Sequence, residues 1–351
     1  MEGSFVIGFN RLPTIDDVSR RAGVSTATVS RCLNAPERVR PETRARVEAA
    51  VAELGYTPHF GGRALAANRT NTVGVVIPTM ASAIFALGLQ SLQEELSAND
   101  VTLLVATSHY DPELELKQIR TLLGRGVDGL ALIGEARPDD AYRLLQDRQV
   151  PFVLLWTHRD GCPHASVGFD NRLAARLMAE RVIERGHRRI AMVVGETVWN
   201  DRAAGRIEGV RDALSAVGLS LEPPLLIEAP YTVAESALAA GRLLALSPRP
   251  TALICGNDVQ AAGALSAARA AGLKVPDDVS IVGFDDIELA SALDPPLTTV
   301  HVPHHRMGRA AARHLLSMID SGDPGEGILL ETIIIERNSL AGPPHREAVD
   351  I

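Results

Sequence analysis

Residues 14–34 read TIDDVSRRAGVSTATVSRCLN. Ile15, Val18 and Ala22 fall at i, i+3 and i+7 and share one face of a helix. Gly23-Val24 breaks that pattern. Ser25 then offers a hydroxyl that can satisfy the orphan amides of a new helix start. Val29 and Leu33 give the second helix its buried side. Further on, a loop runs from Asn34 to Arg40. Pro41 suits the first turn of a third helix, and Glu42 complements its positive end. Val47, Ala50, Val51 and Leu54 form the apolar stripe of that helix, and Gly55 is its expected stop. A helix, a short glycine turn and a second helix, braced by a third, make a helix-turn-helix.

From Thr72 the rhythm changes. Short apolar runs (Val73–Ile77, Val101–Ala106, Gly129–Ile133, Pro151–Leu155, Ile190–Val194, Ala252–Cys255 and Ser280–Phe284) alternate with helical stretches such as Phe85–Leu96 and Leu173–Arg185. Strand-helix-strand repetition predicts α/β architecture with parallel sheets covered on both faces. The strands are too many for one doubly wound sheet, so two lobes are expected. Ligands in such folds bind beyond the carboxyl ends of the strands.

Composition fits this layout. At 351 residues the chain is too long for one ordinary core. Its longest apolar run is well short of the roughly 18 residues that a membrane span needs, and MEGSFVIGFNRLP (1–13) lacks the basic region of a signal peptide. Cys32, Cys162 and Cys255 are widely spaced and odd in number, which predicts reduced thiols in a cytoplasmic protein. The net charge of −8 is uneven: residues 1–70 carry +3 and the rest −11. A basic head on an acidic body is the pattern of a polyanion-binding module joined to something else. No nucleophile triad, metal-ligand spacing, P-loop or GxGxxG is visible, so no cofactor is expected and an enzyme is not.

The stretch 14–34 resembles the helix-turn-helix signature of the lactose-repressor (LacI) family, and the likeness continues through nearly the whole chain. It is carried by AAVAELGYTP (49–58), VGVVIP (73–78), GHRRIA (186–191), CGNDVQAAGAL (255–265), VPDDVSIVGFDD (275–286), PPLTTV (295–300) and IIIERNSL (333–340). GFDN (168–171) and its surroundings are most similar to the gluconate-operon repressor branch. The resemblance implies a homodimeric repressor of a carbohydrate or sugar-acid operon, binding operator DNA and controlled by a small effector such as gluconate. It implies a DNA-binding domain at 12–59, a hinge at 60–71 and an effector-binding, dimerising body at 72–342 that resembles a periplasmic sugar-binding protein. The first lobe is expected at about 72–168 and 299–325, the second at about 169–298 and 326–342. No leucine heptad follows, so a dimer is expected rather than the tetramer of the lactose repressor itself. A sugar-binding transport protein or a sugar-metabolising enzyme on the same body is the alternative. The first would need an export signal and no helix-turn-helix, the second a catalytic constellation.

Position in the motif assigns roles. Thr26, Ala27 and Arg31 are the expected base-reading residues of a helix in the major groove. Arginine can pair bidentately with guanine, and the methyl groups of Thr26 and Ala27 suit thymine. Thr14, Ser25, Thr28 and Ser30 carry short hydroxyls suited to phosphates or to caps. Leu65 stands where the family wedges a side chain between base pairs, although Gly61-Gly62 costs the hinge helix propensity. In the body, Arg206 matches the family's effector-contacting arginine, and Asp285 the aspartate that accepts from ligand hydroxyls or ring nitrogens. Asn257 can donate and accept. Tyr231 falls at a stacking position, Trp156 ends a strand at the cleft, and Ser82 and Phe85 belong to its wall and floor. His304 is a further pocket candidate, whereas Asp258 and Asp286 suit turn or cap roles better.

Overall fold

A computed structural model describes residues 12–57, 69–323 and 325–344, and the chain divides at Thr70/Asn71 into two units. Leu65, with the rest of the 58–68 segment, lies outside the described residues.

The first unit holds α1 (Ile15–Ala22), α2 (Thr26–Asn34) and α3 (Pro41–Leu54). Each terminus has a local cause. Thr14 and Asp17 form a reciprocal capping box: the Thr14 amide donates to Asp17 Oδ2 at 2.8 Å, and the Asp17 amide donates to Thr14 Oγ1 at 3.4 Å. Gly23 takes the left-handed conformation, φ +63°, that ends α1 and turns the chain into α2. The Ser25 hydroxyl accepts from the Thr28 amide at 3.2 Å and caps α2. At the start of α3 Arg40 provides no side-chain cap, and Pro41 begins the helix without an amide to satisfy. Val18, Ala22, Val29, Cys32, Val47, Ala50 and Tyr56 close a small core.

The second unit contains, in chain order, β1 (Thr72–Ile77), α4 (Ala83–Ser97), β2 (Thr102–Thr107), α5 (Pro112–Gly124), β3 (Gly129–Ile133), α6 (Asp139–Asp147), β4 (Phe152–Leu155), β5 (Ser166–Gly168), α7 (Asn171–Glu184), β6 (Ile190–Val194) and α8 (Asp201–Ser215). There follow β7 (Leu226–Glu228), α9 (Val233–Leu244), β8 (Ala252–Cys255), α10 (Asp258–Ala270), β9 (Ser280–Val282), α11 (Glu288–Ala292), β10 (Thr299–His301), α12 (His304–Ser321), β11 (Ile328–Leu329) and β12 (Ile333–Ile335). One parallel sheet has the order β11-β5-β4-β3-β1-β2 and a second the order β7-β6-β8-β9; β10 and β12 pair antiparallel. The central strands β1, β3, β6 and β8 are buried along their whole length, as strands covered on both faces must be.

All seven expected strands are present, with ends moved by no more than two residues. The strands that periodicity did not reveal (β5, β7, β10, β11 and β12) have only two or three residues each. One boundary needs correction. Residues 326–342 were expected in the second lobe, but Ile328 and Leu329 pair with Val167 and Gly168 at the edge of the first sheet. The first lobe therefore runs through Leu329 before the chain crosses back. That return meets the second lobe from Glu336, which pairs with Arg181 of α7 and with Arg185 just after it, to Ser339, whose carbonyl accepts from the Ile281 amide at 2.9 Å. No helix among the described residues is long and apolar enough to cross a membrane.

Candidate nucleic-acid interface and effector site

On α2 the buried side chains are Val29 and Cys32, with Leu33 half-buried beside them. At 3.6 residues per turn the other side carries Ala27, Ser30 and Arg31, and Thr26 stands at the helix start beside the buried face. Thr26, Ala27 and Arg31 are exposed, and Arg31 has no ion-pair partner among the described residues. All four predicted hydroxyls have local duties. Thr14 Oγ1 donates to Asp17 Oδ2 at 2.7 Å, Ser25 Oγ and Thr28 Oγ1 lie 2.9 Å apart within the cap, and Ser30 Oγ accepts from Asn34 Nδ2 at 3.3 Å. The exposed face is thus two small side chains and one uncommitted guanidinium on a helix whose start is held by its own hydroxyls.

In the second unit a cavity of about 770 Å³ opens between the two sheets, at the carboxyl ends of their strands. Seven of the eight predicted effector residues line it: Ser82, Phe85 and Trp156 from the first lobe, and Arg206, Tyr231, Asn257 and Asp285 from the second. His304 does not, and its expected role is corrected. It is buried behind Trp156, whose indole Nε1 donates to His304 Nδ1 at 3.1 Å. Burial pushes the His304 pKa down to about 3, so it is a neutral acceptor that positions the indole.

Arg206 is fixed on four sides. Its Nε donates to Asn171 Oδ1 at 3.0 Å, Nη1 donates to the Gly256 carbonyl, and its guanidinium carbon lies 3.7 Å from the centre of the Phe284 ring. Nη2 stands 3.6 Å from Asp285 Oδ1. Asn171 also donates through Nδ2 to the Trp156 carbonyl at 2.9 Å, tying the arginine to the other lobe. Asp285 is 1% exposed, yet neither carboxylate oxygen accepts a hydrogen bond from the described residues. Burial raises its pKa, opposed first by Arg206 and then by Arg202. Its backbone has φ +104°, a strained conformation for a non-glycine residue, fixed by the hydrogen bond its amide donates to the Val300 carbonyl at 2.8 Å. Asn257 uses Oδ1 to cap α10, accepting from the Gln260 amide at 2.8 Å, which leaves its Nδ2 for the cavity.

Asp258 and Asp286 have the structural duties expected of them. Asp258 accepts from Thr299 Oγ1 at 2.6 Å and from the Ile287 amide at 2.9 Å; burial, with Asp285 nearby, pushes it up to about 8. Asp286 accepts from Arg337 Nη2 at 2.7 Å and His301 Nδ1 at 2.9 Å.

Sequence reasoning missed Tyr110, Asn200, Arg202, Glu196 and Glu228, which also line the cavity. Tyr110 follows β2 and stands 6.3 Å from Tyr231, centre to centre, while Asn200 Nδ2 donates to the Tyr231 hydroxyl at 3.1 Å. The missed signal was topological: each of these residues lies at or just beyond the carboxyl end of a strand.

The pattern described as "Bacterial regulatory proteins, lacI family" matches residues 14–59, and a periplasmic binding protein-like domain matches residues 179–340. An HTH-type transcriptional repressor PurR from Erwinia tasmaniensis is 34% identical over 339 residues, spanning 96% of this chain and 99% of the relative. The solved structure of a transcriptional regulator CelR–cellobiose complex is 32% identical, with a TM-score of 0.70, covering 93% of this chain and 99% of that one. That of the lac repressor dimer bound to operator and the anti-inducer ONPF is 27% identical, with a TM-score of 0.84, covering 94% and 100%. Sequence, fold and cleft agree: the chain belongs to the LacI family, as a DNA-binding transcriptional repressor of the LacI/PurR type under the control of a small effector.

Proposed function

We propose that this repressor acts in the cytoplasm on a carbohydrate-utilisation operon, and that its effector is a hydroxylated, sugar-like molecule bound between the lobes. One observation carries the reading: Asp285 presents two buried oxygens to the cavity that accept no hydrogen bond from the described residues, with Arg206 Nη2 standing off at 3.6 Å. A buried carboxylate left in that state is costly, and a ligand with two adjacent hydroxyls would satisfy it. Arg206 and Asn257 beside it supply the complementary donors. The similarity to a regulator solved with cellobiose supports a sugar.

A sugar acid such as gluconate would use the remaining N–H groups of Arg206. The GFDN segment supports that branch less than its residues first suggested, because each has a structural task. Gly168 faces the Thr157 backbone too closely for a side chain, Phe169 packs on Phe284, Asp170 caps α7, and Asn171 holds Arg206. A flat heterocycle whose N–H groups donate to Asp285 while it stacks on Tyr231 is the second reading, favoured by the cavity aromatics Phe85, Tyr110, Trp156 and Tyr231.

Calorimetry of the full chain against neutral sugars, sugar acids and purine bases tests the three classes. A neutral sugar is expected to bind, and Asp285→Ala is expected to weaken it at least a hundredfold. Binding only by sugar acids or only by bases would replace the neutral-sugar reading, and retention of affinity by Asp285→Ala would remove its basis.

A further inference from the structure

We infer that Asp201 is a latch between the lobes: its carboxylate seats in a backbone anion site on the opposite lobe and holds the effector cleft closed. The inference concerns the regulation of the cleft and rests on the functional reading above.

The receiving site is the turn after β3. Three successive carbonyls in it are committed within the first lobe. Those of Ile133 and Gly134 accept from Arg137 Nη2 at 3.2 and 2.8 Å, and that of Glu135 accepts from the Tyr142 hydroxyl at 2.8 Å. The Glu135 side chain is held in a fork by Arg159, with Nε to Oε2 at 3.0 Å and Nη2 to Oε1 at 2.5 Å. Gly134 has φ +73°. With its carbonyls tied back, the turn presents the amides of Glu135 and Ala136 as adjacent donors, the geometry of a backbone anion nest. Arg137, Tyr142 and Arg159 all belong to the first lobe, so the nest is built independently of its occupant.

The occupant comes from the first turn of α8 in the second lobe. Asp201 Oδ2 accepts from the Glu135 amide at 3.0 Å and Oδ1 from the Ala136 amide at 3.4 Å; Arg202 Nη1 braces Oδ1 at 3.0 Å. The approach is so close that a side-chain carbon on Gly134 would collide with the Arg202 guanidinium and the Asp201 carboxylate. Trp199 and Arg202 cover the rest of the contact over a void of about 10 Å³ that Tyr110 and Glu115 also line. Closing the cleft therefore sets a carboxylate on two preorganised donors, and opening it exchanges those bonds for bonds to water. If the effector binds the closed form, the closed fraction set by Asp201 scales its apparent affinity.

The chain has two tryptophans, so Trp199→Phe leaves Trp156, 1% exposed in the cleft wall, as a single reporter. In that full-length background Asp201→Ala is expected to raise acrylamide quenching of Trp156 several-fold. It is also expected to speed hydrogen exchange at the Glu135 and Ala136 amides at least tenfold, with β3 and β6 unchanged. Faster exchange confined to residues 201–205 would mean only a frayed α8 and would overturn the latch. Faster exchange at 135–136 with unchanged quenching would make the contact a bystander and overturn it too. Neither readout uses operator or effector, so a chain that ignores DNA but shows both changes fails the functional reading while keeping the latch.

Discussion

At Trp156 the only polar atom of the side chain is already committed, since its N–H donates to His304 at 3.1 Å. The indole therefore offers the cavity an apolar surface, packed edge-on against Phe85 with ring centres 5.3 Å apart. The second lobe brings deeply buried polar groups to the same cavity, where Asp285, Arg206 and Asn257 converge. The pair also carries a pH signature. A folded histidine at about 3 against about 6.5 in the unfolded chain means that the unfolded state binds the extra proton between those values. The stabilising contribution is complete above pH 6.5 and is lost as pH falls toward 3, at up to about 1.4 kcal/mol per pH unit. Urea unfolding of His304→Gln, which keeps an acceptor for Trp156 but cannot be protonated, is expected to lose that acid dependence. A variant as acid-labile as the parent would show that His304 is not its source.

The element with the plainest grammar is α2. Its termini, buried side and exposed side were all legible in residues 14–34, because a cap, a glycine and a 3.6-residue period act over a few neighbouring residues. Arg31 is its one exposed cation without an ion pair among the described residues, and Arg31→Ala is expected to cost about 1–3 kcal/mol of operator affinity and relax preference at one base pair. Affinity measured across a randomised half-site checks this. A uniform loss at every sequence would reassign Arg31 to the phosphates. The long strands were legible for the same local reason, and seven of the residues that the family resemblance assigned to an effector line one cavity. What the sequence hid depends on distant partners. β11 is a strand only because Val167 and Gly168 lie beside it, and His304 reads as a pocket residue until Trp156 is seen in front of it. Arg202 and Asp201 carry no motif; their role comes from the first-lobe turn that receives them.

On the scale of the whole molecule, two separate units must share one equilibrium for a ligand in the body to alter DNA binding by the head. The charge distribution assigns affinity to the head: residues 1–70 carry +3 and the remainder −11, so the body by itself should repel a polyanion. Coupling between the units is a free energy and must act equally in both directions. If the effector changes operator affinity by some factor, a saturating operator duplex must change effector affinity by the same factor, typically 5–150-fold for about 1–3 kcal/mol of coupling. Residues 71–351 alone, lacking the DNA-reading helix, are expected to bind effector with an affinity that operator DNA leaves unchanged. Calorimetric titration of the full chain and of this fragment, each with and without duplex, measures both factors. A full chain whose effector affinity ignores the operator would separate the cleft from regulation, however well Asp285 holds its ligand. A fragment that still responds to operator would place part of the DNA contact outside the head.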